Sequence, residues 1–247
     1  MRPHMRRILL VDNDEVTKGT SRNGLQSYGY SVCTANNSVE AFAQLEHQPP
    51  ILILLEIVIP GMDGIEICSR IRGDTRWRFL PVMFLTKSLD IETKISAFAV
   101  GGDDYLHKPF DIRELNLRIK AVLRRSRIAN ETEVKSGGES DVESQRKAAL
   151  QVGTLRLDTN NATVETENGI ADLTPIELKL MRFLMRHPNK LFSSEQLLEK
   201  VWEYPPRVGD TALVRWHVRN LRLKIEPTPE QPRYVISVAH HGYILRV

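Results

Sequence analysis

The sequence predicts an α/β domain, built on a five-stranded parallel, doubly wound sheet, followed by a smaller domain of helices and hairpins. Apolar runs of strand length alternate with amphipathic helical segments through the first half. A stretch rich in Glu, Lys, Ser and Gly then interrupts this pattern, and strong helix-start signals follow it. We therefore expect one domain at 1–127 and another at 150–247, joined by a flexible linker at 128–149.

The strands of the first domain are continuous apolar runs, which is typical of a parallel sheet buried on both faces. Helical spacing of apolar residues between them predicts helices at 38–47, 91–100 and 111–125. Functional groups of such sheets collect where the strands end at their carboxyl edge. The predicted strands are 8–11, 31–35, 51–55, 82–86 and 105–107, and the polar residues at their ends are Asp12, Glu56, Thr86 and Lys108.

The second domain begins with short strands predicted at 154–158 and 162–165, before a turn at Asn168-Gly169. Thr174, Pro175 and Glu177 form a capping-box pattern that starts a helix, and Ser193 to Gln196 repeats it. A basic helix at 211–225 and a hairpin over 234–238 and 243–247 complete the domain. Three helices closed by a hairpin are the order of a winged helix-turn-helix.

Composition excludes several classes of protein. The chain has 247 residues, of which 41% are hydrophobic, and this is enough apolar material for two cores. Its net charge is +3. No apolar run approaches the ~20 residues that span a bilayer, and the N-terminus lacks the apolar core of a signal peptide. We expect a cytoplasmic protein without membrane contact, starting at Met1 or Met5. Cys33 and Cys68 are expected to be packing residues rather than a disulfide framework.

Four motifs of the first domain together resemble the receiver domain of bacterial response regulators. The resemblance implies that a carboxylate at position 56 accepts a phosphoryl group from a kinase histidine, with Mg2+ held by acids after the first strand. It also implies that Thr86 and Lys108 bind the phosphoryl oxygens, and that Tyr105 turns inward to report the change. The motifs are Val11-Asp12-Asn13-Asp14-Glu15, Glu56 with Pro60-Gly61-Met62-Asp63-Gly64, Phe84-Leu85-Thr86, and Asp103-Asp104-Tyr105-Leu106-His107-Lys108-Pro109-Phe110.

Three residues depart from that family pattern. Glu56 stands where the family has its acceptor Asp, and the extra methylene places carboxylate oxygens where the phosphorus should arrive. Asn13 replaces the acid that ligates the metal most directly. Because Mg2+ prefers charged oxygens, we expect only weak Mg2+ binding at Asp12 and Asp14, and no other cofactor. Lys87 replaces a small residue, where it either blocks a phosphodonor or bonds Glu56.

Three interpretations of Glu56 follow. In the first, Glu56 mimics the phosphorylated state by reaching Lys108 and Thr86, although it has less charge and fewer oxygens than a phosphoryl group. In the second, it only fills the pocket, and the domain is a fixed dimerisation platform. In the third, another group of the pocket still takes phosphate. An enzyme built on this domain is disfavoured, because the chain offers no nucleophile–base pair elsewhere.

The predicted helices at 91–100 and 111–125 match the symmetric dimer face of the OmpR/PhoB subfamily. We expect a homodimer through self-pairing of this patch, with room for a partner protein at the receiver. Ala99 departs from the usual acid, so one cross-pair is expected to be missing. The predicted dimer-face residues are Lys94, Asp103, Asp104, Glu114, Arg118 and Lys120, around Ile95 and Phe98.

Motifs at 173–177, 197–202, 217–222 and 241–243 resemble the OmpR/PhoB-type effector domain. The resemblance implies that the third helix enters the major groove of double-stranded DNA and that the wing touches the neighbouring backbone or minor groove. Helical spacing places three arginines on one face, where they can read guanine or clamp phosphate. The predicted DNA-binding residues are Arg215, Trp216, His217, Arg219, Asn220, Arg222 and, either contacting phosphate or in a solvated turn, His240 and His241.

Together the two resemblances cover nearly the whole chain and imply a transcriptional regulator of two-component type, expected to act independently of phosphorylation. The loop at 203–209 matches the place where relatives contact RNA polymerase. The segment at 213–220 resembles the cyanobacterial NblR-type regulators. The alternative is an interaction adaptor with vestigial DNA binding, and the basic helix and wing argue against it.

Overall fold

The computed structural model describes residues 6–88, 90–130, 149–206 and 209–246, and only the backbone of residues 125–130. The chain divides into two compact units, Met1–Leu123 and Arg124–Val247. Within the described ranges, no helix is both long and apolar enough to cross a membrane. Most of the predicted linker, residues 131–148, lies outside the described residues.

The first unit is the predicted five-stranded parallel sheet with helices between its strands. The strand order is β2-β1-β3-β4-β5, so β1 and β3 lie at the centre beside each other. The elements are β1 (Arg6–Val11), α1 (Glu15–Ser27), β2 (Tyr30–Ala35), α2 (Ser38–His47), β3 (Leu52–Leu55), α3 (Gly64–Gly73), β4 (Val82–Thr86), α4 (Ile91–Ala99), β5 (Asp104–His107) and α5 (Ile112–Asn130).

The sheet has a hydrophobic core on each face, which is why its strands are continuously apolar. Leu9 of β1 packs on one face with Ile67 of α3, whereas its neighbour Leu10 packs on the other face with Ile119 of α5. Successive side chains of a strand point to opposite faces, so a strand covered on both sides must be apolar throughout. This two-sided packing leaves the carboxyl edge of the sheet as the place for polar groups.

The predicted helices did not include α1 or α3. Helix α1 is polar over most of its length, whereas α3 has Ile67, Cys68 and Ile71 at helical spacing, a signal that could have found it. Both helices begin after an aspartate. Asp14 caps α1 by accepting from the backbone N–H of Val16, and Asp63 caps α3 by accepting from the backbone N–H of Glu66. Helix α5 continues through Asn130, beyond the predicted domain boundary at 127.

The second unit has the predicted three helices and closing hairpin. A four-stranded antiparallel sheet precedes the helices; two of its strands, β6 and β9, were not predicted because they are short and weakly patterned. The elements are β6 (Ala149–Val152), β7 (Leu155–Asp158), β8 (Thr163–Thr166), β9 (Gly169–Asp172), α6 (Pro175–Met185), β10 (Leu191–Phe192), α7 (Ser194–Lys200), α8 (Thr211–Ile225), β11 (Val235–Val238) and β12 (Gly242–Leu245).

Both predicted capping boxes are present. The Thr174 backbone N–H donates to Glu177 Oε2 at 2.9 Å, and the Ser193 backbone N–H donates to Gln196 Oε1 at 2.9 Å. Strand β12 pairs with both β10 and β11 in a small antiparallel sheet beside α8. The hairpin of β11 and β12 is the wing, and α8 is the third helix of the unit.

Candidate functional site: a closed receiver pocket and an exposed basic helix

The receiver pocket is formed at the carboxyl ends of four neighbouring strands. Asp12 follows β1, Glu56 follows β3, Thr86 ends β4 and Lys108 follows β5. Parallel strands bring these ends to one edge of the sheet. All four residues are buried, although each has a polar or charged side chain. Because a buried polar or charged group without a partner is unfavourable, these side chains need partners within the pocket.

The Lys108 ammonium group lies between two carboxylates. Lys108 Nζ is 2.5 Å from Asp12 Oδ2 and 2.6 Å from Glu56 Oε2. The exposed fractions of the three side chains are 4%, 1% and 6% respectively. The cluster is therefore an almost dry ion triad in which one cation is shared by two anions.

The second oxygen of each carboxylate is also occupied. Glu56 Oε1 accepts from the backbone N–H of Ile57 at 2.7 Å and of Val58 at 3.3 Å. Asp12 Oδ1 accepts from the backbone N–H of Asp14 at 2.9 Å. Both oxygens of Glu56 are thus fixed at the position where the family's acceptor Asp stands.

Lys87 forms an ion pair with Asp14 at the mouth of the pocket. Lys87 Nζ lies 3.0 Å from Asp14 Oδ2, and the two side chains are 70% and 30% exposed. The hydrogen bond from Lys87 and a second one from Thr17 lower the pKa of Asp14 to about 2. The pKa of Lys87 is raised, mainly by Asp14 and further by the charges of Asp12 and Glu56. Lys87 therefore pairs with Asp14 instead of the predicted Glu56, and its predicted blocking of a phosphodonor stays a prediction.

Asn13 is exposed between the two aspartates. Among the residues that the structure describes, no three His, Cys, Asp or Glu side chains are grouped so that they could hold a metal ion.

Thr86 and Tyr105 are joined through the loop that follows β4. Thr86 Oγ1 accepts from the backbone N–H of Ser88 at 3.2 Å, and the Tyr105 hydroxyl donates to the Ser88 carbonyl at 2.6 Å. Tyr105 is half-buried, and its pKa is raised by that burial and then by the charge of Glu56. The predicted Glu56–Lys108 contact is present, whereas the contact seen for the Thr86 hydroxyl is with Ser88.

The predicted dimer face contains a charged network within the monomer. Arg118 is buried and bonds Asp104 at 3.3 Å and Glu114 at 2.8 Å. Asp103 is buried too, where it pairs with Arg72 at 2.8 Å and accepts from the backbone N–H of Val82. These acids and Arg118 therefore already stabilise the monomer.

The apolar part of that face differs from the prediction in one residue. Phe98 is 1% exposed and packs against Tyr105, so its side chain is not part of the monomer surface. Ile95 is half-buried, while Ile91 and Leu117 are 63% and 43% exposed. The Lys94 ammonium lies over the Tyr105 ring, and that of Lys120 lies over the Tyr28 ring. Helical spacing alone could not distinguish the inward Phe98 from its outward neighbours.

Two arginines of α8 face solvent. Arg215 and Arg219 are exposed one helical turn apart, and the Arg219 guanidinium lies 5.7 Å from the centre of the half-buried Trp216 ring. Within the described part of the chain, neither guanidinium group forms an ion pair. This exposed pair is the basic surface that the sequence predicted.

The other predicted residues of α8 are directed into the domain. His217 is 1% exposed and packs against the Trp202 ring, and Asn220 is 8% exposed. Arg222 Nε and Nη2 donate to the Val235 carbonyl at 2.8 and 2.6 Å, which ties α8 to the wing. His217, Asn220 and Arg222 therefore have structural positions in this unit, and the exposed basic side of α8 is narrower than predicted.

The turn of the wing presents the two predicted histidines. His240 and His241 are both exposed, and His240 has a φ of +61°. His241 Nδ1 lies 2.6 Å from the Ala239 carbonyl oxygen. Their exposure leaves both of the predicted alternatives, a phosphate contact and a solvated turn, in place.

Glu226 was not predicted and yet fixes the position of the wing. Its buried carboxylate follows α8 and accepts from the backbone N–H groups of Arg233, Tyr234 and Val235 at 2.7 to 3.1 Å. A carboxylate that accepts several backbone bonds is a strong local anchor. The signal in the sequence was one of two acids, Glu226 and Glu230, between a basic helix and a strand, which has no specific pattern.

Comparison with known proteins identifies both units. The model of the response regulator receiver domain matches residues 8–120, and that of the C-terminal domain of transcriptional regulatory proteins matches residues 167–245. The alkaline phosphatase synthesis transcriptional regulatory protein PhoP of Bacillus subtilis is 34% identical over 97% of this chain and 96% of its own length. The chain belongs to the OmpR/PhoB family of response regulators.

Other family members show the same end-to-end match. The dual master transcriptional regulator RpaA of Synechocystis is 32% identical over 98% of this chain and 96% of its own length. The solved structure of a RitR mutant superposes on this chain with a TM-score of 0.67 at 25% sequence identity. The match covers 97% of this chain and 98% of the RitR chain. The relatives are named as transcriptional regulators and not as enzymes.

This protein is therefore a DNA-binding response regulator of two-component type, with a receiver domain and a C-terminal effector domain. The narrower resemblance to NblR-type regulators stays a prediction. That Glu56, Lys87 and Asn13 depart from the family pattern likewise stays a prediction.

Proposed function

We propose that this protein regulates transcription without phosphorylation of its receiver, and that Glu56 holds the switch in one state. The observation that supports this most directly is the buried Lys108 ammonium group, which is 2.6 Å from Glu56 Oε2. In the family resemblance, Lys108 is the residue that pairs with the phosphoryl oxygens. Here its partner is an oxygen of this chain's own side chain.

The engagement of Glu56 argues against its acting as a phosphoryl acceptor. A carboxylate that attacks phosphorus must present a lone pair to the donor. Glu56 Oε1 accepts two backbone N–H groups, and Oε2 is held by Lys108. Attack would require breaking a dry ion pair, which is costly because the remaining charges would stay buried.

The same contacts favour the mimic over the passive platform. Any buried carboxylate needs a partner, so what favours the mimic is the identity of that partner, the switch lysine Lys108. The mimic is partial, since the Thr86 hydroxyl bonds the loop at Ser88 instead. The Ser88 carbonyl of that loop also accepts a hydrogen bond from the Tyr105 hydroxyl, so Thr86 and Tyr105 are linked through Ser88. We propose that the Glu56 charge sets this arrangement permanently.

Further parts of the function follow from the family and belong to the same proposal. The receivers pair as a homodimer through α4, β5 and α5, and the exposed Ile91 and Leu117 supply apolar surface to that face. Double-stranded DNA is bound by Arg215 and Arg219 of α8. The protein acts in the cytoplasm, where RNA polymerase is its expected partner, and binds Mg2+ only weakly.

A mass measurement tests the loss of acceptor chemistry. The full-length protein and its Glu56→Asp variant would be incubated with Mg2+ and a small acyl-phosphate donor, followed by intact mass spectrometry. We expect no phosphoryl addition to the wild-type chain, whatever the variant does. A stoichiometric addition to the wild-type chain would overturn the proposal and direct the search to another group of the pocket.

A second measurement tests the mimic. Glu56→Ala should lower both receiver dimerisation and DNA affinity, measured by analytical ultracentrifugation and by fluorescence anisotropy on a selected duplex. Glu66→Ala is the matched control, because Glu66 is an exposed acid of the same unit, with an ion pair to Arg70 on the surface of α3. Equal values for Glu56→Ala and the control would refute the mimic and favour a fixed platform.

A further inference from the structure

We propose that Lys87 takes over the charge-neutralising role of a divalent cation in this receiver, so that the acidic pocket is metal-independent. The inference deepens the proposed function and rests on it in one respect, since both assign the pocket a fixed state. It concerns a residue that the family comparison does not assign. Its support is the set of hydrogen bonds that the carboxylates of Asp12, Asp14 and Glu56 accept.

Asp14 has no oxygen position left for a metal. Its Oδ1 accepts from the backbone N–H of Val16 at 3.0 Å and of Thr17 at 3.5 Å. Its Oδ2 accepts from the Thr17 hydroxyl at 3.0 Å and from Lys87 Nζ at 3.0 Å. A carboxylate has about four lone-pair sites, and here each has a donor.

The two deeper carboxylates each have a donor on both oxygens. Asp12 and Glu56 share the Lys108 ammonium group, and their other oxygens accept from backbone N–H groups, one for Asp12 and two for Glu56. Mg2+ demands a near-octahedral set of oxygens at short distances and dehydrates reluctantly. Binding it would require removing an ammonium group from a carboxylate, while the neutral amide of Asn13 adds no charge. The residues of this pocket therefore do not fit the metal of the family.

Among the two lysines, Lys87 is the one that can be tested without unfolding the domain. Its side chain is 70% exposed, whereas that of Lys108 is 4% exposed. Its backbone is held in place because the Lys87 carbonyl contacts His107 Nε2 at 3.1 Å. Removing the ammonium group frees one oxygen position on Asp14 and removes a positive charge that repels a second cation.

Mn2+ is a suitable probe, because free Mn2+ is counted directly by its electron paramagnetic resonance signal. We would titrate the full-length wild-type chain, Lys87→Ala and Lys87→Gln with MnCl2 and no phosphodonor. Arg113→Ala is the matched control, since Arg113 is an exposed cation paired with the helix-flanking Asp111, as Lys87 is with Asp14. Asn13→Asp combined with Lys87→Ala would restore the missing acid as well.

We expect the wild-type chain and Arg113→Ala to bind Mn2+ equally weakly. Both Lys87 variants should bind about tenfold more tightly, because loss of one nearby positive charge removes a repulsion of that order. The double variant should bind more tightly still. Wild-type binding as tight as that of Lys87→Ala, or an equal gain in Arg113→Ala, would overturn the inference. A gain in the Ala variant without one in the Gln variant would overturn its electrostatic basis.

The outcome is separable from that of the proposed function. Metal binding is measured here without phosphoryl transfer, and phosphoryl transfer is measured by mass. A chain that takes no phosphate but binds Mn2+ tightly would refute only the role of Lys87. A chain that is phosphorylated yet excludes Mn2+ would refute only the proposed loss of acceptor chemistry.

Discussion

In the receiver pocket, the Lys108 ammonium group lies buried between two carboxylates, whereas on α8 the guanidinium groups of Arg215 and Arg219 face solvent without an ion pair among the described residues. The charges of the first arrangement are paired within the fold, whereas those of the second are exposed to solvent. In the proposed function, the two regions have different tasks: the pocket holds one state of the switch, and the basic helix binds DNA.

The difference has an energetic reason. A buried triad is costly to disturb, because removal of one member leaves uncompensated charge away from water. Exposed arginines cost little in the free protein and contribute to affinity when they neutralise DNA phosphates and release the cations condensed on the DNA. The pocket is thus suited to a fixed structural state and the basic helix to reversible binding.

The largest effect is expected for Lys108→Ala. Deleting the shared cation leaves the carboxylates of Asp12 and Glu56 facing each other, and we expect the free energy of unfolding of the receiver to fall by about 3–5 kcal/mol. Urea denaturation followed by circular dichroism would measure the change. Lys87→Ala, at the exposed mouth of the same pocket, is the control. Similar losses in the two variants would show that the triad is not the buried anchor of this site.

An intermediate effect is expected for Arg219→Ala. Loss of the exposed guanidinium should weaken DNA binding about tenfold or more, and should reduce the salt dependence by about one counterion if the contact is to phosphate. Fluorescence anisotropy at several salt concentrations would show both. Arg233→Ala is the matched control, since Arg233 is exposed in the same unit but paired with Glu167. Equal affinity of the two variants would place Arg219 outside the interface.

The smallest effect is expected in the acid titration of Asp14. Its pKa is lowered to about 2, so its contribution to stability is present above the unfolded value near 4 and is lost as the pH falls toward 2. Lys87→Ala should raise the pKa of Asp14 toward its ordinary value, as followed by NMR of the carboxyl carbon. Asp111, whose pKa is also about 2 because of Arg113, should not change. If the pKa of Asp14 did not change in Lys87→Ala, the hydrogen bonds from Val16 and Thr17 at the start of α1 would be sufficient to lower it.

The sequence by itself determined the fold class and the strand-end positions of the pocket residues. Continuous apolar strands and capping boxes are local signals, so Asp12, Glu56, Thr86 and Lys108 could be placed at one edge of a sheet from the order of the residues alone. The departures at Asn13, Glu56 and Lys87 were likewise visible from motif position. Helix α1 was harder, because it is polar and its cap is a single aspartate. Helix α3 was not predicted, although Ile67, Cys68 and Ile71 follow its Asp63 cap at helical spacing.

Only the tertiary structure decided which partner each charge has. Lys108 lies far in the sequence from Asp12 and Glu56, and Lys87 bonds Asp14 because parallel pairing brings their loops together. Helical spacing placed Arg222 beside Arg219, but Arg222 donates a hydrogen bond to Val235 of the wing, whereas Arg219 is exposed to solvent. The burial of Phe98, Asp103 and His217 has the same cause. Local spacing fixes which residues share a face, whereas packing against distant strands fixes which of them still reach the surface.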